Sequence, residues 1–340
     1  MAIPVSRFLC LTFAIATFAA AQAFAASSQD GDRTTASQPP TGPAAENRVA
    51  DSRSIACALM DVPPSRINTV SKYDQSVESK SVVDNNAAQA RQQVFAPITQ
   101  TLKQLSALAG LSGFAAEAST DCAGQNLLRF ARSGSFTDMA SEDANLSRDR
   151  FITDIGIVLA SLRQQGEDLS QSAEIRAWLT QIGDQTMAFY DWQAGPTSRR
   201  NNHRYWGGLS VGMIGYFLQD ARMVSWAKQS FEVGACQIDA RGLLPLEMAR
   251  GRKALDYHVY AYRALAGFES LAKSHGDAMA GGCEPRLALL ENRVRAGLAD
   301  PATFEGESGY RQDAVARDSA FLKPLLISTL LQRQVGKAAY

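Results

Sequence analysis

The chain is poor in the residues that mark metal chemistry. It holds 3 His and 5 Cys in 340 residues. There is no Cys-x-x-Cys pair and no His at a zinc-binding interval from a Cys, which argues against a metal site. A charge surplus is also missing: 34 Lys and Arg stand against 34 Asp and Glu, with the basic residues dispersed. This speaks against a general nucleic-acid binder, so an anionic partner would need a local cluster of positive charge. Beyond the first 25 residues no stretch is apolar enough to span a bilayer. Runs of alternating Val, Ile, Thr and Tyr between turns are lacking, which leaves strands marginal. No motif recurs at a fixed period, disfavouring TPR, HEAT or ankyrin arrays. No acidic pair is singled out by its surroundings, as a glycoside hydrolase would need.

The first residues read as an export signal. An n-region ending at Arg7 precedes an apolar run from Phe8 to Ala25, and Ala23-Phe24-Ala25 supplies the small-x-small cleavage pattern. Residues 1–26 are therefore expected to be a signal peptide and the mature protein to be periplasmic or secreted, free of the membrane. Residues 27–52, rich in Ser, Thr, Pro, Ala and Asp, read as a flexible leader. Residues 53–340 suit one helical domain, since no Pro/Gly-rich linker interrupts them. Cys10 leaves with the signal. Cys57, Cys122, Cys236 and Cys283 remain, an even number in an oxidising compartment. Of their three possible pairings, Cys57–Cys122 and Cys236–Cys283 are favoured.

Helical periodicity dominates the rest. Apolar residues three or four apart run through 88–114, 125–132, 150–165, 175–192, 209–218, 224–235, 255–274, 287–297 and 314–332. Gly166, Gly195-Pro196, Gly242, Gly276 and Pro301 punctuate the gaps. Nine or ten helices on short loops imply antiparallel hairpins, arranged either as an α/α toroid or as a globular bundle. Trp178, Trp192 and Trp226 have apolar helical neighbours and read as core; His258 and His275 carry no functional signal. The segment 61–84 is long, polar and weakly patterned, hence a lid over a site or a solvated connector.

Two clusters carry chemistry. Arg199-Arg200-Asn201-Asn202-His203-Arg204-Tyr205-Trp206 gathers cations, amides, an imidazole and aromatic rings ahead of a helix expected to begin at Leu209, which Asn202 could cap. In the second cluster, Arg250 and Tyr257 lie seven apart. On a continuous helix they share a face, and the guanidinium would lower the phenol pKa. Gly251 leaves the continuity of that helix open. Removal of the proton α to a uronate carboxylate needs donors to hold the carboxylate, a base for the proton, and an acid for the departing oxygen. Asn202, His203, Arg250 and Tyr257 comprise that set.

The run Asn201-Asn202-His203-Arg204-Tyr205-Trp206 resembles the NNHxYW signature of the family-five polysaccharide lyases, the alginate or poly(β-D-mannuronate) lyases. The likeness continues through Gln237–Pro245, Glu247, Arg250 and Ala254-Leu255-x-Tyr257-His258-x-Tyr260. Ser71-Lys72-Tyr73-x-x-Ser76-x-x-Ser79-Lys80 and Gly297–Phe304 match as well. The resemblance implies an all-α fold, an incomplete α/α toroid with a lid loop, and β-elimination without cofactor or metal. It implies catalytic roles for Asn202, His203, Arg250 and Tyr257: Asn202 neutralises the carboxylate, Tyr257 donates a proton to the leaving oxygen and, for mannuronate, also takes the C5 proton, and His203 is the base for the opposite epimer or helps hold the carboxylate. Lys72, Tyr73 and Lys80 on the lid, with Arg204, Tyr205 and Trp206, are the expected substrate contacts. Arg204 fills a position that is often small or polar in this family, and an added cation there is expected to reshape a subsite. The expected partner is an anionic polysaccharide, alginate first, acted on by a monomer. A broader uronate lyase for polyglucuronate or hyaluronan-like chains, and a non-catalytic polysaccharide-binding module, are the alternatives.

Overall fold

The computed structural model describes residues 57–110, 117–277, 279 and 281–315. The expected signal peptide, the leader and nearly all of the helix expected at 314–332 lie outside the described residues. Among the described residues ten α-helices follow in order: α1 Asn85–Leu108, α2 Glu117–Arg132, α3 Glu142–Gln164, α4 Ala173–Ala188, α5 Asn202–Leu218, α6 Ala221–Ala235, α7 Pro245–Met248, α8 Ala254–Ser274, α9 Arg286–Ala299 and α10 Ala302–Ser308. Two-residue strands, β1 Arg66–Ile67 and β2 Asp138–Met139, pair in parallel. The starts obey local chemistry. Asp84, Ser141, Ser172 and Asp220 each accept hydrogen bonds from the free N–H groups of the helix they precede. Gly166 and Gly276, both at positive φ, end α3 and α8.

Helix α5 organises the domain. It packs against α3, α4, α6 and α8, and every residue of it except His203 and Tyr216 is buried. Val211, Ile214, Phe217 and Leu218 join the core built by α1 to α4. Tyr205, Trp206, Leu209 and Met213 join a second core with α6, α8, α9 and α10. One helix thus serves two cores, as a helix apolar on all sides must. Gly207 and Gly208 permit the close approach: a Cβ on Gly207 would stand 2.5 Å from the Tyr190 ring, and one on Gly208 2.7 Å from Ser230 Cβ.

Polar groups sealed beside α5 are bonded to one another. Asp149 of α3 accepts from Tyr190 Oη at 2.7 Å and Ser210 Oγ at 3.3 Å. Burial nonetheless pushes its carboxyl up to about 6. Both favoured cystine pairings are present, Cys57–Cys122 and Cys236–Cys283. Trp178 and Trp226 are core residues, but Trp192 is 82% exposed. Its helix gives way at Phe189 to a single π-type turn, Phe189–Gln193, which takes the indole out of the helical register that read as core.

Candidate active site

The first functional cluster is helical, not a loop before a helix. α5 begins at Asn202, seven residues ahead of the expected start, and Asn201 rather than Asn202 is its cap, accepting from His203 N at 3.1 Å. Asn202 has another partner: Glu247 of α7 accepts from its backbone N at 2.8 Å and from its Nδ2 at 2.9 Å. Asn202 Oδ1 is buried with no partner among the described residues.

The second cluster is broken where the sequence left doubt. Arg250 lies beyond the end of α7, Gly251 takes φ +56° at the head of a 3-10 turn, and α8 starts at Ala254. Arg250 and Tyr257 therefore share no continuous helix face. The turn still folds them together, with the guanidinium carbon 3.8 Å from the Tyr257 ring centroid. Arg250 also donates to Lys80 O at 2.6 Å, and Tyr257 donates to Tyr73 Oη at 2.8 Å. The later part of the segment 61–84, residues 72–84, accordingly lies against the site, while 63–69 runs beside β2 and the cap of α3. Tyr73 bridges Val83, Asp74 N donates to Val82 O, and Asp84 N donates to Lys72 O.

Arg250 is the group shared by the whole constellation. It acts electrostatically on His203, Glu247 and Tyr257. Burial is the main influence on His203, and Arg250 and Arg91 add to it, pushing the imidazole down to about 4; the ring is neutral at neutral pH. Burial raises Glu247 to about 7 against the opposing pull of its two Asn202 hydrogen bonds and Arg250. For Tyr257 the expected lowering is reversed. Burial outweighs Arg250, the Tyr73 hydroxyl adds to it, and the group is held well above the phenol range, protonated. The cation faces the ring rather than the hydroxyl, and desolvation of a phenolate there costs more than the guanidinium returns.

Three expected substrate contacts turn away. Arg204 is buried, donating to Ser230 Oγ at 2.8 Å and to Asp191 Oδ1 at 2.9 Å while stacked 3.9 Å from the Trp226 ring centroid. A cation so paired is a structural clamp between α5, α6 and the 189–193 turn, not an added subsite charge. Tyr205 is sealed in the second core, its hydroxyl on Arg200 O at 3.0 Å. Trp206 is buried with Tyr260 at 4.9 Å and two guanidinium groups near its ring, so it offers no open face to a sugar. On the lid, Tyr73 reaches the site. Lys80 gives its ammonium to Gln75 O at 2.8 Å, and Lys72 is exposed with its ammonium 5.1 Å from the Tyr73 ring centroid.

Arg91, Tyr260 and the supporting role of Glu247 were not anticipated. Arg91 projects from α1, bonded to Val70 O and Ser147 Oγ, and it contributes to the electrostatics of His203, Tyr73 and Tyr257. A single Arg on an amphipathic helix carries no signal of this. Tyr260 lies one turn beyond Tyr257, edge-on to it at 6.4 Å, and that i, i+3 spacing could have flagged it.

The architecture is that of the α/α toroid polysaccharide lyases. The crystal structure of alginate lyase A1-III from Sphingomonas species A1 aligns with a TM-score of 0.61 at 16% identity, over 83% of this chain and 79% of that one. A variant of alginate lyase A1-III complexed with tetrasaccharide aligns at 0.61 over 79% and 76%. The family model for alginate lyase matches residues 69–304, and the chain belongs to that family. Among curated relatives, alginate lyase of Pseudomonas fluorescens Pf-5 is 38% identical over 143 residues, 42% of this chain and 38% of the relative. That of Cobetia marina is 37% identical over 139 residues, 41% and 37%. The matched stretch thus spans about two fifths of the length of these relatives.

Proposed function

We propose that the protein cleaves alginate, polymannuronate first, by β-elimination. Arg250 and Asn202 hold the carboxylate of the reacting uronate. One Nδ2 hydrogen of Asn202 is engaged by Glu247, and the other is left to meet the substrate. The base takes the C5 proton, and the C5 electron pair forms the C4–C5 double bond. The C4–O bond breaks as the acid gives its proton to the departing oxygen. One product then carries a 4,5-unsaturated uronate at its non-reducing end, the other an intact hydroxyl.

The observation that carries this reading is the pair of protonation states around Arg250. His203 is neutral and able to accept a proton, while Tyr257 is protonated and able to give one. Tyr257 is the acid, and His203 the base in this ground state. The family membership and the lid contacts of Tyr73 support the same assignment. We also infer that residues 1–26 direct export and are removed, in keeping with two cystines that need an oxidising compartment.

The test is ultraviolet absorbance of the unsaturated product when purified protein meets polymannuronate, polyguluronate, polyglucuronate and hyaluronan. Absorbance should rise on polymannuronate, and Tyr257→Phe should abolish the rise with the fold intact. Binding without cleavage would replace the lyase with a binding module. Cleavage of another uronate alone would move the substrate and keep the reaction.

A further inference from the structure

The stretch that follows α10 reaches back to the head of α8. Gly309, at φ +71°, ends α10 and turns the backbone. Ser308 Oγ accepts from Tyr310 N, and Gln312 N donates to Glu305 Oε1 at 3.3 Å, so residues 310–313 fold back along α10. There they meet the turn that joins Arg250 to α8. Gln312 Oε1 accepts from Leu255 N at 3.0 Å, while its Nε2 donates to Gly251 O at 3.1 Å. Asp313 N donates to Arg252 O at 2.8 Å. The Asp313 carboxylate accepts from Arg252 Nε at 2.6 Å and pairs with Lys253 Nζ at 3.1 Å. The Tyr310 ring covers Gly251, where an added Cβ would stand 3.2 Å from Tyr310 Cδ2.

These bonds fall on the part of the site with the least support of its own. Lys253 precedes α8 without giving a side-chain cap to its free N–H groups. Gln312 supplies that acceptor from 57 residues away. Arg250 and Tyr257 stand on either side of a 3-10 turn of three residues, the first of them Gly251 at positive φ. So short a turn closes few bonds within itself. On its upstream side Arg250 N donates to Glu247 O at 3.1 Å, the residue that also grips Asn202. On the downstream side the tail does the holding. Arg250 passes the constraint on to the lid through Lys80 O.

We propose that Gln312 and Asp313 are positioning residues for the elimination: by pinning the backbone of 251–255 they fix the Arg250 guanidinium against Tyr257 and the lid. The inference rests on the reading of the protein as a polyuronate lyase. Both residues act through Arg250 and Tyr257 rather than on the sugar. A misplacement of about 1 Å in such groups lowers the rate by up to about a hundredfold. The loss falls on kcat, because the charge that Arg250 meets grows as the C5 proton leaves.

The test is steady-state cleavage of polymannuronate by the purified protein and by Gln312→Ala and Asp313→Ala, together with the NMR titration of His203, one of 3 histidines in the chain. Burial, Arg250 and Arg91 bring His203 down to about 4, against a backbone hydrogen bond at Leu146. Displacing Arg250 removes one of those influences. In Gln312→Ala the His203 titration should therefore move up while kcat falls about tenfold. Asp313→Ala keeps the backbone bond to Arg252 O, so it should show both changes at smaller amplitude, and it decides the matter if Gln312→Ala does not fold. An unchanged kcat, or a His203 titration that stays in place, would reduce the tail to packing and overturn the proposal, whatever the melting temperature does. No cleavage of any uronate by the unmodified protein would instead overturn the lyase reading, and the His203 titration would still report on the turn.

Discussion

Glu247 grips Asn202 twice, through its backbone N and its side-chain Nδ2, with both residues fully buried. One carboxylate thus fixes the first turn of α5 and the angle of the amide next to His203. Glu247→Ala should orphan the Asn202 N–H and destabilise the fold by about 1–3 kcal/mol, with most activity lost. Glu247→Gln, which keeps an acceptor for the backbone N–H, should retain more of both. Urea denaturation and the ultraviolet assay on the two variants check this ordering.

The hydroxyl pair Tyr257–Tyr73 joins the lid to the acid. Tyr73→Phe removes the acceptor and leaves the ring contacts in place. We expect kcat/KM to fall about tenfold while stability moves by no more than about 1 kcal/mol. A larger loss of stability than of activity would make this contact structural.

Arg204 should behave as a clamp. Arg204→Gln should lower stability by about 2 kcal/mol, because Asp191 loses its cation and keeps only the Trp226 indole N–H, and Ser230 Oγ loses a donor, while KM for polymannuronate stays unchanged. A clear rise in KM would return Arg204 to the substrate.

Acid stability should show two opposing pairs. His203 and His258 are each pushed down to about 4. The unfolded chain therefore takes up their protons first, and each withdraws about 3 kcal/mol as pH falls from about 6.5 to 4. Glu247 at about 7 and Asp149 at about 6 are shifted up. Here the folded chain takes up protons first, and each adds about 3 kcal/mol of stability as pH falls through its folded value to its unfolded one. The urea midpoint should thus stay nearly flat between about pH 6.5 and 4.5. It should then drop below about pH 4, where ion-paired carboxylates such as Asp239 and Asp313, both held low, take protons. Asp149→Asn should make the profile fall on acidification, and His258→Gln should make it rise.

The two cystines close stretches with sequence separations of 65 and 47 residues. By loop-closure entropy each contributes about 4 kcal/mol. Replacing Cys236 and Cys283 together by Ser should lower the melting temperature markedly without changing KM, as scanning calorimetry and the ultraviolet assay would reveal.

The helices that one apolar stripe defines were legible in the sequence. α6 and α8 fall within three residues of their expected bounds, because a repeat of three and four is enough to specify a half-buried helix. The start of α5 was not legible. Asn202 to Gly208 is polar, aromatic and glycine-bearing, which reads as loop, and only Tyr190 and Ser230 pressing on Gly207 and Gly208 explain those glycines. The identity of the site residues came from residue type and motif, but their direction did not. Adjacent positions on a helix point about 100° apart, so His203 opens to the site while Arg204 and Tyr205 enter separate packing. Arg91 arrives from a helix distant in the chain, and no local spacing could announce it.

Because α5 is walled in by four neighbours, almost any exchange along it disturbs one core or the other. Divergence in sugar preference within such a scaffold has little room on that helix. It must come from single side chains lent by α1, α3 and α8 and from the exposed positions of the hairpin at 72–84, which can be rewritten without reopening the interior.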